Sequence, residues 1–124
     1  MKRLFPILAT LPSLLFAAPT FSQHCLNGWC RAGCYVNEEC DYVKVISKEH
    51  PYVKFLVSYP GGMIKQQADC QQYKSRFVRD DGSKSSWEPA KPQSIGHIMI
   101  ETACTMKPSA KGSTYSPPPN KKGV

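Results

Sequence analysis

Six cysteines are the residues whose type and spacing most clearly carry chemistry in this chain. Thiols can form disulfides, ligate zinc or catalyse redox exchange. The first four follow the order C-x4-C-x3-C-x5-C and lack the C-x2-C pair typical of zinc and redox sites. An even number in a short, exported chain favours a disulfide framework, with no metal and no cofactor. We therefore expect six bonded cysteines: Cys25, Cys30, Cys34, Cys40, Cys70 and Cys104.

Residues 1–22 are typical of a secretory signal peptide. A basic start precedes an uncharged, mostly apolar run, and Thr20 and Ser22 supply small residues for cleavage before Gln23. A retained membrane anchor is the alternative, but a spanning helix needs about 20 apolar residues, and this run is shorter and interrupted by prolines. We expect a secreted, periplasmic or cell-surface protein without a transmembrane segment after cleavage.

The remaining polar residues give little support for catalysis. Histidines occur only at positions 24, 50 and 97, and no nucleophile elbow, paired carboxylates or phosphate loop is present. The adjacent Asp80 and Asp81 are explained by a turn. Glu38, Glu39 and Asp41 fit a solvated acidic face better than a cation site. We predict that the protein is not an enzyme.

The net positive charge is concentrated at the two ends of the chain. The whole sequence has 16 Lys and Arg against 9 Asp and Glu, whereas residues 23–106 carry ten against nine. The segment 107–124 contains Lys107, Lys111, Lys121 and Lys122 and no acid. The high pI therefore does not predict nucleic-acid binding by the folded part.

The candidate binding residues lie together in one predicted strand. Lys74, Arg76 and Arg79 give this strand a basic edge that could engage an acidic partner, and Tyr73 and Phe77 add aromatic surface. The alternative is that the cations protect an edge strand against aggregation.

The Cys-rich segment 23–41 predicts a loop cap that is held by its own bridges. Four cysteines allow three pairings, and the sequence does not choose among them. Trp29 and Tyr35 could bind a ligand, but they are better explained as a cover for the disulfides.

A change to alternating apolar residues after position 41 predicts antiparallel strands. We expect strands over 42–47, 53–59 and 63–78. Alternation along the last of these puts Tyr73 and Phe77 on the face opposite Ala68, so we expect a bulge or strong twist near Cys70. Pro60-Gly61 fits a type II turn with positive φ at Gly61. Asp81-Gly82 signals another hairpin, after which 83–87 could add a short strand.

The last apolar segment, 95–106, is compatible with a helix or a strand. Ser94 is a good N-cap, and the upstream prolines favour helix slightly. The tail 107–124 is rich in proline and lysine and poor in apolar residues, so we expect it to be disordered.

Residues 69–104 resemble the carboxy-terminal signature of the bacterial surface-adhesin protein E-like family. The resemblance rests on Asp69-Cys70, basic and aromatic strand residues, Asp-Gly, Trp87, Pro92, Ser94-Ile95-Gly96 and Ala103-Cys104. It implies an antiparallel sheet with a carboxy-terminal helix, tethered by a Cys70–Cys104 disulfide. It also implies binding to extracellular-matrix proteins. This chain departs from the family's lipid-anchored adhesin because it lacks the lipidation pattern and carries the Cys-rich cap.

Together these features predict an α+β fold over 42–106: a small antiparallel sheet with a tethered C-terminal helix, preceded by the Cys-rich cap. The expected function is a small exported binding module, with adhesin-like recognition of an extracellular or surface macromolecule and no nucleic-acid partner. The alternative is a disulfide-stabilised secreted effector, an inhibitor or membrane-active protein, acting through the cap and the basic tail.

Overall fold

The computed structural model describes residues 24–110 and 114–120. The predicted signal peptide lies outside these residues, as do Lys111, Lys121 and Lys122. The described chain forms seven strands and one helix: β1 (Cys25–Leu26), β2 (Trp29–Cys34), β3 (Cys40–Glu49), β4 (Tyr52–Tyr59), β5 (Gly62–Asp69), β6 (Lys74–Val78), β7 (Glu88–Pro89) and α1 (Ile95–Thr105).

The strands form one antiparallel sheet in which each strand pairs with its neighbours along the chain, in the order β1 to β7. Helix α1 packs across one face, here called the inner face; the opposite one is the outer face. The predicted α+β fold with a C-terminal helix is therefore confirmed. The described helix is too short to cross a membrane.

Strand β4 shows why the sheet has a buried inner face. Val53, Phe55 and Val57 alternate along it and are at most 2% exposed, as the period-two pattern predicts. The same cluster includes residues from the neighbouring strands and from α1: Cys30, Ala32, Val43, Val45, Ala68, Met99, Ile100, Ala103 and Met106.

Helix α1 begins where the sequence predicts. The hydroxyl of Ser94 accepts a hydrogen bond from the His97 N–H at 3.1 Å, so it satisfies one of the free donors of the first turn. Ile100 and Ala103 are buried against the sheet. The helical alternative for 95–106 is thus confirmed.

Three disulfides are present: Cys25–Cys30, Cys34–Cys40 and Cys70–Cys104. The third joins the end of β5 to α1, as the resemblance implied. The first two connect directly opposed residues of adjacent strands, so the Cys-rich segment pairs into the sheet where the sequence predicted a loop cap. Three disulfides are consistent with an extracellular or otherwise oxidising compartment.

The predicted strand over 63–78 is wrong, because the chain turns back after Asp69. Both the Gln71 and Gln72 N–H groups donate to Asp69 Oδ1, at 2.9 and 3.0 Å, and Tyr73 takes φ +48°. Strand β6 then runs antiparallel to β5 and places Phe77 opposite Gln66. Phe77 therefore shares the face of Ala68, contrary to the prediction from simple alternation.

The turn between β4 and β5 contains Pro60 and Gly61, as expected, but its type differs. Tyr59 pairs with Gly62, and the positive φ of +148° belongs to Gly62. Because Gly61 does not take a positive φ, the turn is not the predicted type II.

The Asp81-Gly82 turn is confirmed, with Gly82 at φ +90° and Asp81 Oδ1 accepting from the Ser83 N–H at 2.9 Å. The expected strand over 83–87 is reduced to a single bridge between Lys84 and Val78. Strand β7 follows at Glu88–Pro89 and pairs with the beginning of β6.

Part of the predicted disordered tail lies against the sheet. The Ser109 N–H donates to Val45 O at 3.0 Å, and Asn120 exchanges backbone and side-chain hydrogen bonds with Cys40. The sequence did not indicate these contacts, because they satisfy backbone groups of distant strands and do not bury a regular apolar pattern.

Candidate functional site: the outer face of the sheet

The outer face of strands β4, β5 and β6 is lined by cations. Cross-strand pairing aligns Lys54 with Gln67 and Gln67 with Arg76. Alternation places Lys65 and Lys74 on the same side. We call this surface the basic face and define it by four cations and two aromatic residues: Lys54, Lys65, Lys74, Arg76, Tyr52 and Trp87.

The cations of the basic face have no ion-pair partner within the described ranges 24–110 and 114–120. Two carboxylates belong to this side of the sheet by register. Asp69 is 4% exposed and accepts the backbone hydrogen bonds of the following turn, whereas Glu49 is exposed opposite Tyr52 and makes no ion pair within the described residues. Four cations and one exposed carboxylate therefore give this part of the outer face a net positive charge, although the folded part as a whole is nearly neutral.

Trp87 lies against residues of two strands, β4 and β6. Its ring stacks on Tyr52, with centroids 5.9 Å apart and planes at 25°. The Arg76 guanidinium carbon is 4.2 Å from the Trp87 ring centroid, and Lys74 Nζ is 5.2 Å from it. Such cation–π contacts contribute about 0.5–1 kcal/mol each at exposed sites, so they hold the indole in a defined position on the basic face.

Arg76 is held at two points. Its Nε–H donates to Gln67 Oε1 at 2.9 Å while the guanidinium lies over Trp87. Its two Nη groups make no hydrogen bond to the described part of the chain. A fixed guanidinium with free donors can bind a planar anionic group through paired hydrogen bonds.

The other half of the outer face is covered by the tail. Trp29, Cys40 and Tyr42 form a second buried cluster there, and Trp29 is 2% exposed. The indole N–H of Trp29 donates to Tyr115 O at 2.9 Å, and Asn120 Nδ2 donates to backbone carbonyls of β3 and β4. We call residues 114–120 the strap. Trp29 is therefore buried beside the Cys34–Cys40 bridge, in agreement with the prediction that it covers a disulfide.

The structure separates the five predicted binding residues. Lys74 and Arg76 lie on the basic face. Tyr73 packs toward α1 and stacks on the His97 ring at 4.6 Å, while Phe77 is 49% exposed on the inner side. Arg79 follows β6 and donates to Ser83 Oγ at 3.2 Å.

Two open clefts lie next to these residues. Arg79 borders one of about 470 Å³ at the end of β6. Phe77 borders another of about 310 Å³, together with Ser75 and Ser85.

Sequence reasoning missed Lys54, Lys65, Tyr52 and Trp87 as members of the site. The alternation in β4 already placed Lys54 on the side opposite Phe55, which was a usable signal. The approach of Trp87 to Tyr52 links positions 35 residues apart and depends on the 70–73 turn, which the sequence did not reveal.

Asp41 and Tyr35 form a partly buried pair on β3 and the turn before it. Asp41 is 1% exposed, so it is not part of a solvated acidic face as predicted. The Tyr35 hydroxyl donates to Asp41 Oδ2 at 2.8 Å, while Asp41 Oδ1 is buried without a partner among the described residues.

Burial raises the pKa of Asp41, an effect partly opposed by the Tyr35 hydrogen bond. Desolvation, the hydrogen bond to Asp41 and its charge raise the pKa of Tyr35 to about 12.

We expect Tyr35→Phe to weaken the pH dependence of stability in alkaline solution. Because the folded-state pKa of Tyr35 is raised from 10.0 to about 12, its contribution is complete below pH 10 and is lost as the pH rises toward 12. Urea unfolding at a series of pH values, for the wild type and Tyr35→Phe, measures this contribution. Parallel curves for the two proteins across that range would contradict the assignment.

The residues described do not include a group of three or more His, Cys, Asp or Glu side chains arranged to hold a metal ion. Comparison of the chain with protein-family models, curated proteins and solved structures found no match.

Proposed function

We propose that this protein is a small exported binding module that recognises an anionic macromolecule outside the cell through the basic face. The observation that carries this proposal is a set of cations on neighbouring strands that form no ion pair with any residue the structure describes, including Lys54 and Lys65 on the central strands β4 and β5.

Fold stability does not explain this charge distribution. Two like charges about 10 Å apart in water repel by roughly 0.4 kcal/mol, so grouping them is slightly unfavourable. Protection against edge-to-edge aggregation explains charges on the edge strands of a sheet only. Lys54 and Lys65 have paired strands on both sides, and a binding role explains them better.

Export is supported by the three disulfides and by the signal-like segment 1–22. The resemblance of residues 69–104 to adhesin E-like domains supports an adhesin-like role at a bacterial surface. The alternative role, an effector acting through the Cys-rich segment and tail, has less support, because both are hydrogen-bonded into the sheet along much of their described length.

We expect Lys54→Glu/Lys65→Glu to lower affinity for polyanions by at least about tenfold at physiological salt, with a larger effect at low salt. These two lysines are chosen because Lys74 and Arg76 also support Trp87, whose displacement would confuse the result. Binding to immobilised heparin, poly-glutamate and anionic phospholipid vesicles provides the measurement.

The matched control is Lys91→Glu/Lys107→Glu, which changes net charge equally at exposed positions that precede and follow α1 and lie outside the basic face. This control should retain most of the affinity. If both variants lose the same affinity, binding depends on net charge, and the proposed recognition surface is wrong.

A further inference from the structure

We infer that the ligand of the basic face is a linear acidic polysaccharide, in which sugar rings contact the Tyr52–Trp87 pair and carboxylate or sulfate groups bind Arg76 and the neighbouring lysines. This inference rests on the proposed function and adds the chemical class of its ligand.

The aromatic pair offers an apolar surface in the middle of a charged region. Tyr52 is 40% exposed and Trp87 is half-buried. Aromatic side chains with a partly wet surface and a fixed position are suited to contacts with amphipathic partners. The C–H faces of pyranose rings are such partners, whereas acidic peptide side chains present no flat apolar surface.

Arg76 defines where an acid group would bind. Its Gln67 hydrogen bond and its contact with Trp87 fix the guanidinium beside the aromatic pair. Since the Nη donors remain available, they can form a bidentate interaction with a carboxylate or sulfate attached to the sugar that contacts Trp87. The surface that contacts the sugar ring and the donors that bind its acid group are therefore adjacent.

The lysines extend the site beyond one acid group. Lys54 lies two strands from Arg76, so their Cα atoms are separated by about 10 Å. Lys65 lies two residues along β5 from Gln67, a further displacement of about 7 Å. Cations distributed over this area fit a chain that carries anionic groups at intervals, and a single small anion would leave most of them unused.

A single-stranded nucleic acid also combines stacking groups with regular negative charge. The compartment favours the polysaccharide, because three disulfides are consistent with an extracellular or oxidising environment, where acidic polysaccharides are the common linear polyanions of cell surfaces and matrix. Nucleic acid and acidic peptide are therefore the competing outcomes of the test.

The test compares three probes of similar charge with the oxidised full-length protein: a heparin-derived hexasaccharide, a poly-glutamate peptide and a single-stranded oligodeoxynucleotide. We expect the hexasaccharide to bind at least about tenfold more tightly than the other two. Trp87→Ala should weaken hexasaccharide binding about tenfold, by analogy with the stacking of nucleic-acid bases on aromatic side chains, and should change poly-glutamate binding less than about twofold.

Two further variants separate recognition from folding. Tyr52→Leu removes the other ring of the aromatic pair but retains Trp87, and it should also weaken hexasaccharide binding. Tyr115→Leu removes an exposed aromatic ring that is 60% accessible and lies on the strap, and it should leave binding unchanged. Unfolding midpoints of all variants show whether each protein remains folded in the assay.

Equal or tighter binding of the peptide or oligonucleotide would overturn the polysaccharide inference, as would an equal loss for all three probes in Trp87→Ala. In those cases the proposed function would stand if Lys54→Glu/Lys65→Glu still reduced polyanion binding selectively. Absence of binding to every polyanion would overturn both.

Discussion

Replacing Cys70 and Cys104 together by alanine is expected to lower the free energy of unfolding by about 3–4 kcal/mol. The bridge spans a sequence separation of 34 residues, and the chain-entropy model assigns a larger stabilisation to longer loops. In this fold the bridge also connects the end of β5 to α1, whose buried residues complete the inner core. A loss of this size is a large share of the stability of a small domain.

The control for this prediction is Cys25→Ala/Cys30→Ala, which opens a bridge with a separation of only 5 residues. The same model assigns about 2 kcal/mol to so short a loop. Urea unfolding of the wild type and both double variants gives the comparison. If opening the short bridge destabilises the protein as much as opening the long one, loop closure is not the source of the stabilisation.

Deleting residues 114–124 is expected to lower the free energy of unfolding by about 2 kcal/mol. The strap covers Trp29, and uncovering a large buried side chain costs about 1.5–3 kcal/mol. The deletion also removes the hydrogen bond from Trp29 to Tyr115 O and the bonds of Asn120 to β3 and β4, but water can replace part of these.

Fluorescence in a Trp87→Phe background reports on Trp29 alone. We expect the truncated protein to show red-shifted emission and a lower urea midpoint. Pro119→Ala, a change at an exposed strap position, should alter neither property. Unchanged emission after truncation would show that the strap does not cover Trp29 in solution. Polyanion binding should persist below the unfolding midpoint, because the basic face lies on β4 to β6.

The parts of the fold that follow from local chemistry could be predicted from the sequence. Alternation identified β4 and its buried side, Ser94 marked the start of α1, and Asp81-Gly82 marked a turn. The turn after Asp69 could not be predicted in this way, because Gln71 and Gln72 are weak turn residues. Its conformation depends on the Asp69 carboxylate and on a positive φ at Tyr73, a residue that rarely adopts one.

The candidate site was predicted only in part, for a different reason. Lys74 and Arg76 were identified from their own strand. Their alignment with Gln67 and Lys54 depends on the register of three strands, and a missed turn changes that register completely. Trp87 illustrates the limit best, since its position is determined by contacts with Tyr52 and Arg76, which are set by tertiary structure.

The sequential order of the strands bears on how the exported chain reaches its folded form. Each strand pairs with the one before it, so most of the sheet consists of contacts that are close in sequence, and folds rich in such contacts form rapidly. The contacts between residues farthest apart in sequence belong to α1 on one face and the strap on the other. Because these are the two C-terminal segments, a chain that emerges amino terminus first can pair its strands before either face is covered.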